Sequence, residues 1–463
     1  MENKKTSFSG SLGFILAAAG SAVGLGNLWR FPYLAAKDGG GLFILVYIIL
    51  ALTFGFTLLT ADIAIGRRTG KNALEAYGAI SKKWKFVGVL SFIVPFVILG
   101  YYSVIGGWIT KYVVDYVVTD ASVMAQDGYF TSFISSPVSP IVFMFIFLAI
   151  TSVIVYLGVE KGIEKFSKII MPGLLLLIIA IAVFSLTLSY TDENGITRTG
   201  LEGMKIYFVP NFEGLTFSKV LEIIVDAVSQ LFFSLSVAMG IMITYGSYVK
   251  KDINLTKSVT QIEIFDTIVA VLAGLMIVPA IYVFAGLEGM NAGAGLMFIS
   301  LPKVFNSMGA IGGVVGALFF LMVIFAALTS SVSIMETVVA GVMSLFKTTR
   351  KKAAFTMFVI FALIAVVICM GYNVLYFEAD LPNGAKAQQL LDVIDYVATS
   401  LLMPVITIST AILIGWITKP KWVIEEMESS GHKFTRKYLF SFVIKYCTPV
   451  LMVVLLLKAL GIL

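Results

Sequence analysis

The sequence predicts an all-α membrane protein with eleven membrane-crossing helices, and three observations lead there. Of its 463 residues, 59% are hydrophobic and 13% are charged, about half the ~25% charge of an ordinary soluble domain. Apolar stretches of the ~20 residues that a spanning helix needs recur along the whole chain. Lys and Arg gather in alternate connections between them, as they do on the cytoplasmic side of a membrane. A soluble enzyme, a disordered scaffold and a nucleic-acid-binding protein all fit poorly. The net charge of +6 comes from short basic runs between apolar stretches, not from a basic face.

The first apolar core, 12–35, follows Lys4 and Lys5. The second, 42–64, ends at Arg67, Arg68 and Lys71, and Lys82, Lys83 and Lys85 then open the third, 87–112. The fourth, 139–158, and the fifth, 168–189, are joined through Lys161, Lys165 and Lys168. The sixth, 220–246, and the seventh, 259–285, are joined through Lys250, Lys251 and Lys257. The eighth, 311–345, and the ninth, 353–372, flank Lys347, Arg350, Lys351 and Lys352. The tenth, 390–416, and the eleventh, 438–461, flank Lys419, Lys421, Lys433, Arg436 and Lys437. The opposite connections hold acids: Asp120, Asp127, Asp192, Glu193, Glu288 and Asp380. This alternation predicts a multi-pass protein of the cell membrane, with a cytoplasmic N-terminus, an extracellular C-terminus and no cleaved signal peptide.

Two segments are unlike ordinary spanning helices. The first runs Ala-Ala-Ala-Gly-Ser-Ala-Val-Gly-Leu-Gly-Asn from Ala17 to Asn27, with Gly20, Gly24 and Gly26 at mid-membrane depth and Arg30 and Pro32 after them. The sixth runs Phe-Phe-Ser-Leu-Ser-Val-Ala-Met-Gly from Phe232 to Gly240. Glycine lowers the cost of leaving helical geometry. Freed backbone groups at that depth are tolerable where they line a cavity. Close packing through small residues is the plainer account of either segment alone. Two such segments five helices apart match two inverted halves around a central site.

Polar groups inside the apolar segments add to this. An acid at the centre of a spanning helix costs ~2.5–3.5 kcal/mol on insertion scales. The chain nevertheless keeps Asp226, Glu263, Asp266, Glu336 and Asp395 there, with Asn27, Gln230, Ser234, Ser236, Thr329, Ser330 and Ser331. Asp226, with Glu222, reads as a helix end in a water-filled vestibule. Asp266 has no basic partner in its own segment, and a bound cation would offset its burial. Oxygen donors of this kind suit a hard cation. Softer chemistry is scarce: there is a single histidine, His432, and the two cysteines, Cys369 and Cys447, lack ligand spacing and read as buried thiols. No nucleophile–base pair suggests an enzyme.

The run from Gly20 to Pro32, Gly-Ser-Ala-Val-Gly-Leu-Gly-Asn-Leu-Trp-Arg-Phe-Pro, followed by Gly39-Gly40-Gly41, resembles the first-helix signature of the neurotransmitter:sodium symporters. The sixth and eighth segments resemble that family independently, and the likeness covers essentially the whole chain, nearest to the bacterial carriers of hydrophobic and aromatic amino acids. It implies a single transporter domain over 1–463: a five-helix repeat at 12–189, its inverted partner at 220–416, broken helices one and six, and an extra helix at 438–461. It implies symport of an amino acid into the cell with sodium.

By the same resemblance, one sodium ion takes Ala22, Asn27, Ser234 and Asp266, and a second takes Gly20, Val23, Ala326, Thr329 and Ser330. Substrate meets Ala22, Gly24, Leu25, Gly26, Ile98, Tyr102, Phe233, Ser234, Ser236, Met239, Ser330 and Ile334. Gly24 stands where amine-transporting relatives carry an aspartate, so the substrate brings its own carboxylate. Arg30 and Asp395 form the outer gate. The inner gate departs from the family. Lys5 is present, but its acidic partner has become Ser344 and a tryptophan has become Phe8. Contacts near Ser247, Tyr248 and Glu336 are the alternative. Gly162 and Pro172 resemble the pair that lets helix five unwind. The chloride-binding positions read Tyr47, Gln230, Ser234, Asp266 and Ala270, with a fixed carboxylate in place of an asparagine, so chloride is not expected. Protonation of Asp266 on the empty return step is a further expectation. A channel, a non-transporting sensor and a proton-coupled permease are the rival readings.

Overall fold

The computed structural model describes residues 7–192, 195–290 and 293–463; Lys4, Lys5 and Glu193 lie outside these. The protein is mostly helical. Its long segments, numbered here as the apolar stretches of the sequence, are α1 (Ser11–Ala22 and Gly26–Lys37), α2 (Gly41–Thr69), α3 (Lys82–Val118), α4 (Ser139–Tyr156) and α5 (Val159–Leu186). They continue with α6 (Phe217–Ser234 and Ile241–Ser247), α7 (Leu255–Ala285), α8 (Gly309–Phe346), α9 (Arg350–Met370), α10 (Leu390–Ile417) and α11 (Lys437–Ala459). Among the described residues nine helices are long and apolar enough to cross a membrane, or ten when the two pieces of α1, bent by 52°, count as one span. α6 falls outside that count for a physical reason. Its first piece carries Lys219, Glu222 and Asp226, and its second has only 7 residues.

The two breaks have different backbone geometry. α1 propagates through Ala17, Ala18 and Ala19, among the best helix formers. It stops at Ala22, and Val23 is extended at φ −73°, ψ 96°. The chain re-enters helix through a wide turn, Gly26–Arg30, and Pro32 falls in the first turn of the stretch that follows, where its missing N–H does no harm. α6 opens on a Thr216 cap and ends at Ser234; Ser236, Ala238 and Gly240 then all take left-handed φ, at 52°, 61° and 69°. Left-handed serine and alanine are uncommon, because Cβ crowds the backbone there.

Packing brings the breaks together. The first piece of α1 lies against α7, α8 and α5, and α2 packs along both pieces of α6. α8 lies against α3, and α3 against α4, behind them. Outside the helices, Ser189–Thr191 pairs antiparallel with Thr197–Thr199, and Ala379–Asp380 with Lys386–Ala387. The thiols need one correction. Both cysteines are free, but only Cys369 is buried; Cys447 is half-exposed on α11, a helix with few neighbours.

Candidate functional site

Three helices each bring one oxygen-bearing side chain to the same point. Asp266 of α7 is fully buried. Its Oδ1 accepts from Asn27 Nδ2 at 2.8 Å, and Ser234 Oγ lies at the same distance from it. Ser234 Oγ is also 3.2 Å from Asn27 Oδ1, which accepts from the Gly24 amide at 3.2 Å. Asn27 is presented by the wide turn after the α1 break, and Ser234 is the last helical residue before the α6 break. Tyr47 Oη is 3.5 Å from Asp266 Oδ2. A carboxylate, a carboxamide oxygen and a hydroxyl form a hard donor set carrying one fixed charge, which suits a small monovalent cation. Of the remaining positions near Asp266, Gln230 turns its amide nitrogen to the Gly26 carbonyl at 3.1 Å, and Ala270 is buried.

A second group lies where α1 meets α8. Ser330 Oγ is 3.2 Å from the Ser21 carbonyl and 3.4 Å from that of Val23. Thr329 Oγ1 donates to the Ala326 carbonyl at 3.0 Å. A Cβ on Gly20 would sit 3.1 Å from Thr329 Cβ. Gly20, Val23, Thr329 and Ser330 therefore lie along one α1–α8 contact, with the Ala326 carbonyl bonded to Thr329 within α8.

Between these groups lies a narrow cavity of about 30 Å³. It has room for about two waters at ~10–15 Å³ each. Every one of Ala22, Gly24, Leu25, Gly26, Ile98, Tyr102, Phe233, Ser234, Ser236, Met239, Ser330 and Ile334 lines it, joined by Ser21 and Asn27. The buried Tyr102 hydroxyl faces this cavity beside the Leu25 backbone and the Ser330 side chain. Gly24 is needed sterically, because a Cβ there would stand 2.9 Å from Ser330 Oγ.

Phe233 also lines a larger cavity of about 450 Å³, with Arg30, Asp226, Ser229, Asp395 and Lys458. Its ring separates the two spaces. Arg30 and Asp395 face this larger cavity without an ion pair between them: Arg30 Nη2 donates to Ser229 Oγ at 2.7 Å, and Asp395 Oδ1 accepts from Tyr101 at 2.6 Å. Asp226 pairs with Lys37 at 2.9 Å and Lys458 at 3.3 Å, in keeping with its place at a vestibule.

At the basic end a third cavity of about 470 Å³ is lined by Lys71, Asn72, Ser247, Tyr248, Ser344 and Arg350, among others. Asn72 Nδ2 donates to Ser344 Oγ at 2.9 Å and to the Ala340 carbonyl at 3.0 Å. Glu336, fully buried, accepts from Tyr248 Oη at 2.7 Å and forms two charged contacts with Arg350, one of them 2.8 Å long. Phe8 is buried against Phe14, Tyr245 and Tyr248.

Three residues that hold the site were missed in the sequence. Ser21 offers its carbonyl to Ser236 Oγ at 2.9 Å as well as to Ser330, and so ties both breaks together. Asp62 of α2, buried, accepts the Ala238 amide inside the α6 break at 3.2 Å. Its signal was available: it is an acid inside the second apolar core. Arg350 reads in sequence only as one of four basic residues near a helix end.

The fold and site define a membrane transport protein, built of bundled helices with a buried cavity where two of them come apart. The profile of the Sodium:neurotransmitter symporter family matches residues 5–125 and 130–462, and the chain belongs to that family of sodium-coupled transporters, which are not enzymes. A similar protein is the uncharacterized sodium-dependent transporter YhdH of Bacillus subtilis (strain 168), 35% identical over 476 residues, covering 100% of this chain and 99% of the relative. An uncharacterized sodium-dependent transporter of Haemophilus influenzae is 30% identical, covering 98% of each. Among solved structures, MhsT in complex with L-phenylalanine superposes with a TM-score of 0.83 at 35% identity, covering 98% of this chain and 99% of that one.

Proposed function

We propose that this protein carries a hydrophobic or aromatic amino acid into the cell together with sodium, by alternating access and without chloride. The observation that carries this reading is the narrow cavity: a single space bordered by both helix breaks, with a charged oxygen cluster on one flank and the Tyr102 hydroxyl on another. The substrate ammonium would lie against freed carbonyls, and its carboxylate against the Leu25 and Gly26 amides and Tyr102. The side chain would extend among Ile98, Phe233, Met239 and Ile334. The solved relative bound to L-phenylalanine supports an amino acid of this class.

One sodium ion sits with Ala22, Asn27, Ser234, Asp266 and the substrate carboxylate. Each ligand then raises the other's affinity, and the coupling is reciprocal. A second sodium ion, at Gly20, Val23, Ala326, Thr329 and Ser330, joins α1 to α8. Phe233 and Tyr102 form the lid, and Arg30 closes on Asp395 above it in another state. The cavity is too small for an amino acid as it stands, so Phe233 and the pliant Met239 shift on binding. The eleven helices all span the membrane, in two inverted repeats (12–189 and 220–416) plus α11, with the basic ends in the cytoplasm and the C-terminus outside. Asp266 supplies the negative charge that chloride gives elsewhere in the family, and it takes a proton on the empty return step.

The test is reconstitution into liposomes with labelled phenylalanine, leucine, glycine and glutamate. Uptake of the first two should follow an inward sodium gradient and persist when gluconate replaces chloride. Uptake confined to glycine or glutamate would overturn the substrate reading. Loss of uptake in gluconate would overturn the chloride reading. Sodium-driven uptake that leaves internal pH unchanged would overturn the proton step.

A further inference from the structure

α7 buries two acids, and the functional reading uses only one of them. Asp266 belongs to the oxygen cluster. Glu263 lies three residues earlier, one turn nearer the basic end of the helix. Residues three apart share a helix face, with ~5–6 Å between their Cβ atoms. Both acids are fully buried, and Glu263 lies within electrostatic reach of Asp266.

A buried carboxylate is costly unless it is paired, and the partner comes from α11. Arg436, the residue before that helix begins, brings Nη1 to 3.3 Å from Glu263 Oε2. The same nitrogen lies 3.4 Å from the Leu52 carbonyl, in a wide turn of α2 at Ala51–Gly55. The guanidinium carbon sits 4.4 Å from the centre of the Phe56 ring. α2 therefore touches both acids of α7. Leu52 and Phe56 seat the partner of Glu263, and Tyr47 reaches Asp266.

The pairing is unequal. The Arg436 side chain is 29% exposed, so water screens its charge, whereas that of Glu263 is 0% exposed. Glu263 Oε1 has no hydrogen-bond partner among the described residues. A charge held away from water acts over several ångströms, because the effective dielectric there is well below that of bulk solvent. The oxygen cluster at Asp266 lies within that range.

We propose that Glu263 is a remote second negative charge for the sodium ion at Asp266, and that Arg436 sets how much of that charge the ion feels. This rests on the sodium reading above. It makes α11, the helix outside the two repeats, part of the electrostatics of the sodium site. Glu263 touches neither ion nor substrate; it is a positioning residue.

The experiment uses the full-length protein in nanodiscs. Its thermal midpoint is followed through a sodium titration, with choline holding ionic strength constant. An ion that binds the folded state raises the midpoint with occupancy, so half-saturating sodium is read without transport. Glu263→Gln keeps the shape and removes the charge. It should raise half-saturating sodium about tenfold, the order expected for one charge a helical turn away in a partly polar interior. Adding Arg436→Gln to it removes the opposite charge as well, and should bring the value back to within about threefold of the parent. Damage to packing would not be undone by a second truncation. If Glu263→Gln fails to fold, Arg436→Gln alone decides. It leaves Glu263 uncompensated and should lower half-saturating sodium at least about threefold; an equal or higher value would overturn the proposal. So would Glu263→Gln within twofold of the parent, or a double variant no better than the single one. A parent with no sodium-specific rise would sink the sodium reading and this proposal with it. The predicted rise and rescue in a protein that moves no amino acid would sink the symport reading alone.

Discussion

At α1 the chain leaves helical geometry between Ala22 and Gly26, and at α6 between Ser234 and Ile241. The two breaks border the same cavity but are held open by different means. The α1 break is written in its residues: glycines at 20, 24 and 26 thin the backbone, and no residue there takes a left-handed φ. The α6 break keeps two non-glycine residues in left-handed geometry, and neighbours hold it so. Asp62 takes the Ala238 amide, and Ser236 donates to the Ser21 carbonyl. The first break is permitted by composition and the second is imposed by contact. Substitutions should therefore damage α1 by adding bulk and α6 by removing a partner.

The largest effect should come from bulk at α1. Gly24→Leu places a side chain against Ser330 and into the narrow cavity, and should abolish sodium-dependent amino-acid binding, a loss above ~100-fold, while the protein still elutes as a folded species; residual binding within tenfold would show that the cavity is not the site. Next is removal of the α6 partner. Asp62→Ala leaves the buried Ala238 amide without its acceptor and should lower unfolding stability by ~1.5–3 kcal/mol, measured as a fall in thermal midpoint, with transport reduced in step. An unchanged midpoint would mean that α6 is broken by its own residues after all.

A smaller effect tests what joins the breaks. Asp266→Asn keeps the shape of the α1–α6–α7 cluster and removes its charge. The sodium concentration for half-maximal binding should rise roughly tenfold, and adding Ala270→Ser should restore part of it when chloride is present. A sodium dependence equal to the parent would place the cation elsewhere. The smallest effect should be a gain. Ala238→Gly relieves a left-handed alanine and should raise stability by up to ~1 kcal/mol. A loss there would show that the Cβ has a packing role greater than its strain.

How much was legible differs along the chain in the same way. The apolar cores and the basic connections predicted the long segments closely, because a helix in lipid must satisfy its backbone internally over a fixed length. α6 was seen as one core, 220–246, yet its two pieces fall outside the count of long apolar helices, since the first carries Lys219, Glu222 and Asp226 and the second has only 7 residues. The positions expected to meet substrate came from a resemblance over the whole chain, and helices one, three, six and eight bring them to one cavity. The Arg30–Asp395 pair was an expectation about a closed outer gate; here each side chain has another partner.

Sequence alone determined the number and spacing of apolar segments, which ends are basic, and that α1 must yield near its glycines. Those are properties of local composition, read by the membrane one segment at a time. Tertiary structure decided the rest. Asp266 acquires Asn27 and Ser234, residues 239 and 32 positions away in the chain, and Glu164 finds Ser9 at a separation of 155. A buried carboxylate is stable only once its donors have arrived, and which donors arrive is fixed by how whole helices pack, not by the residues beside it in the chain.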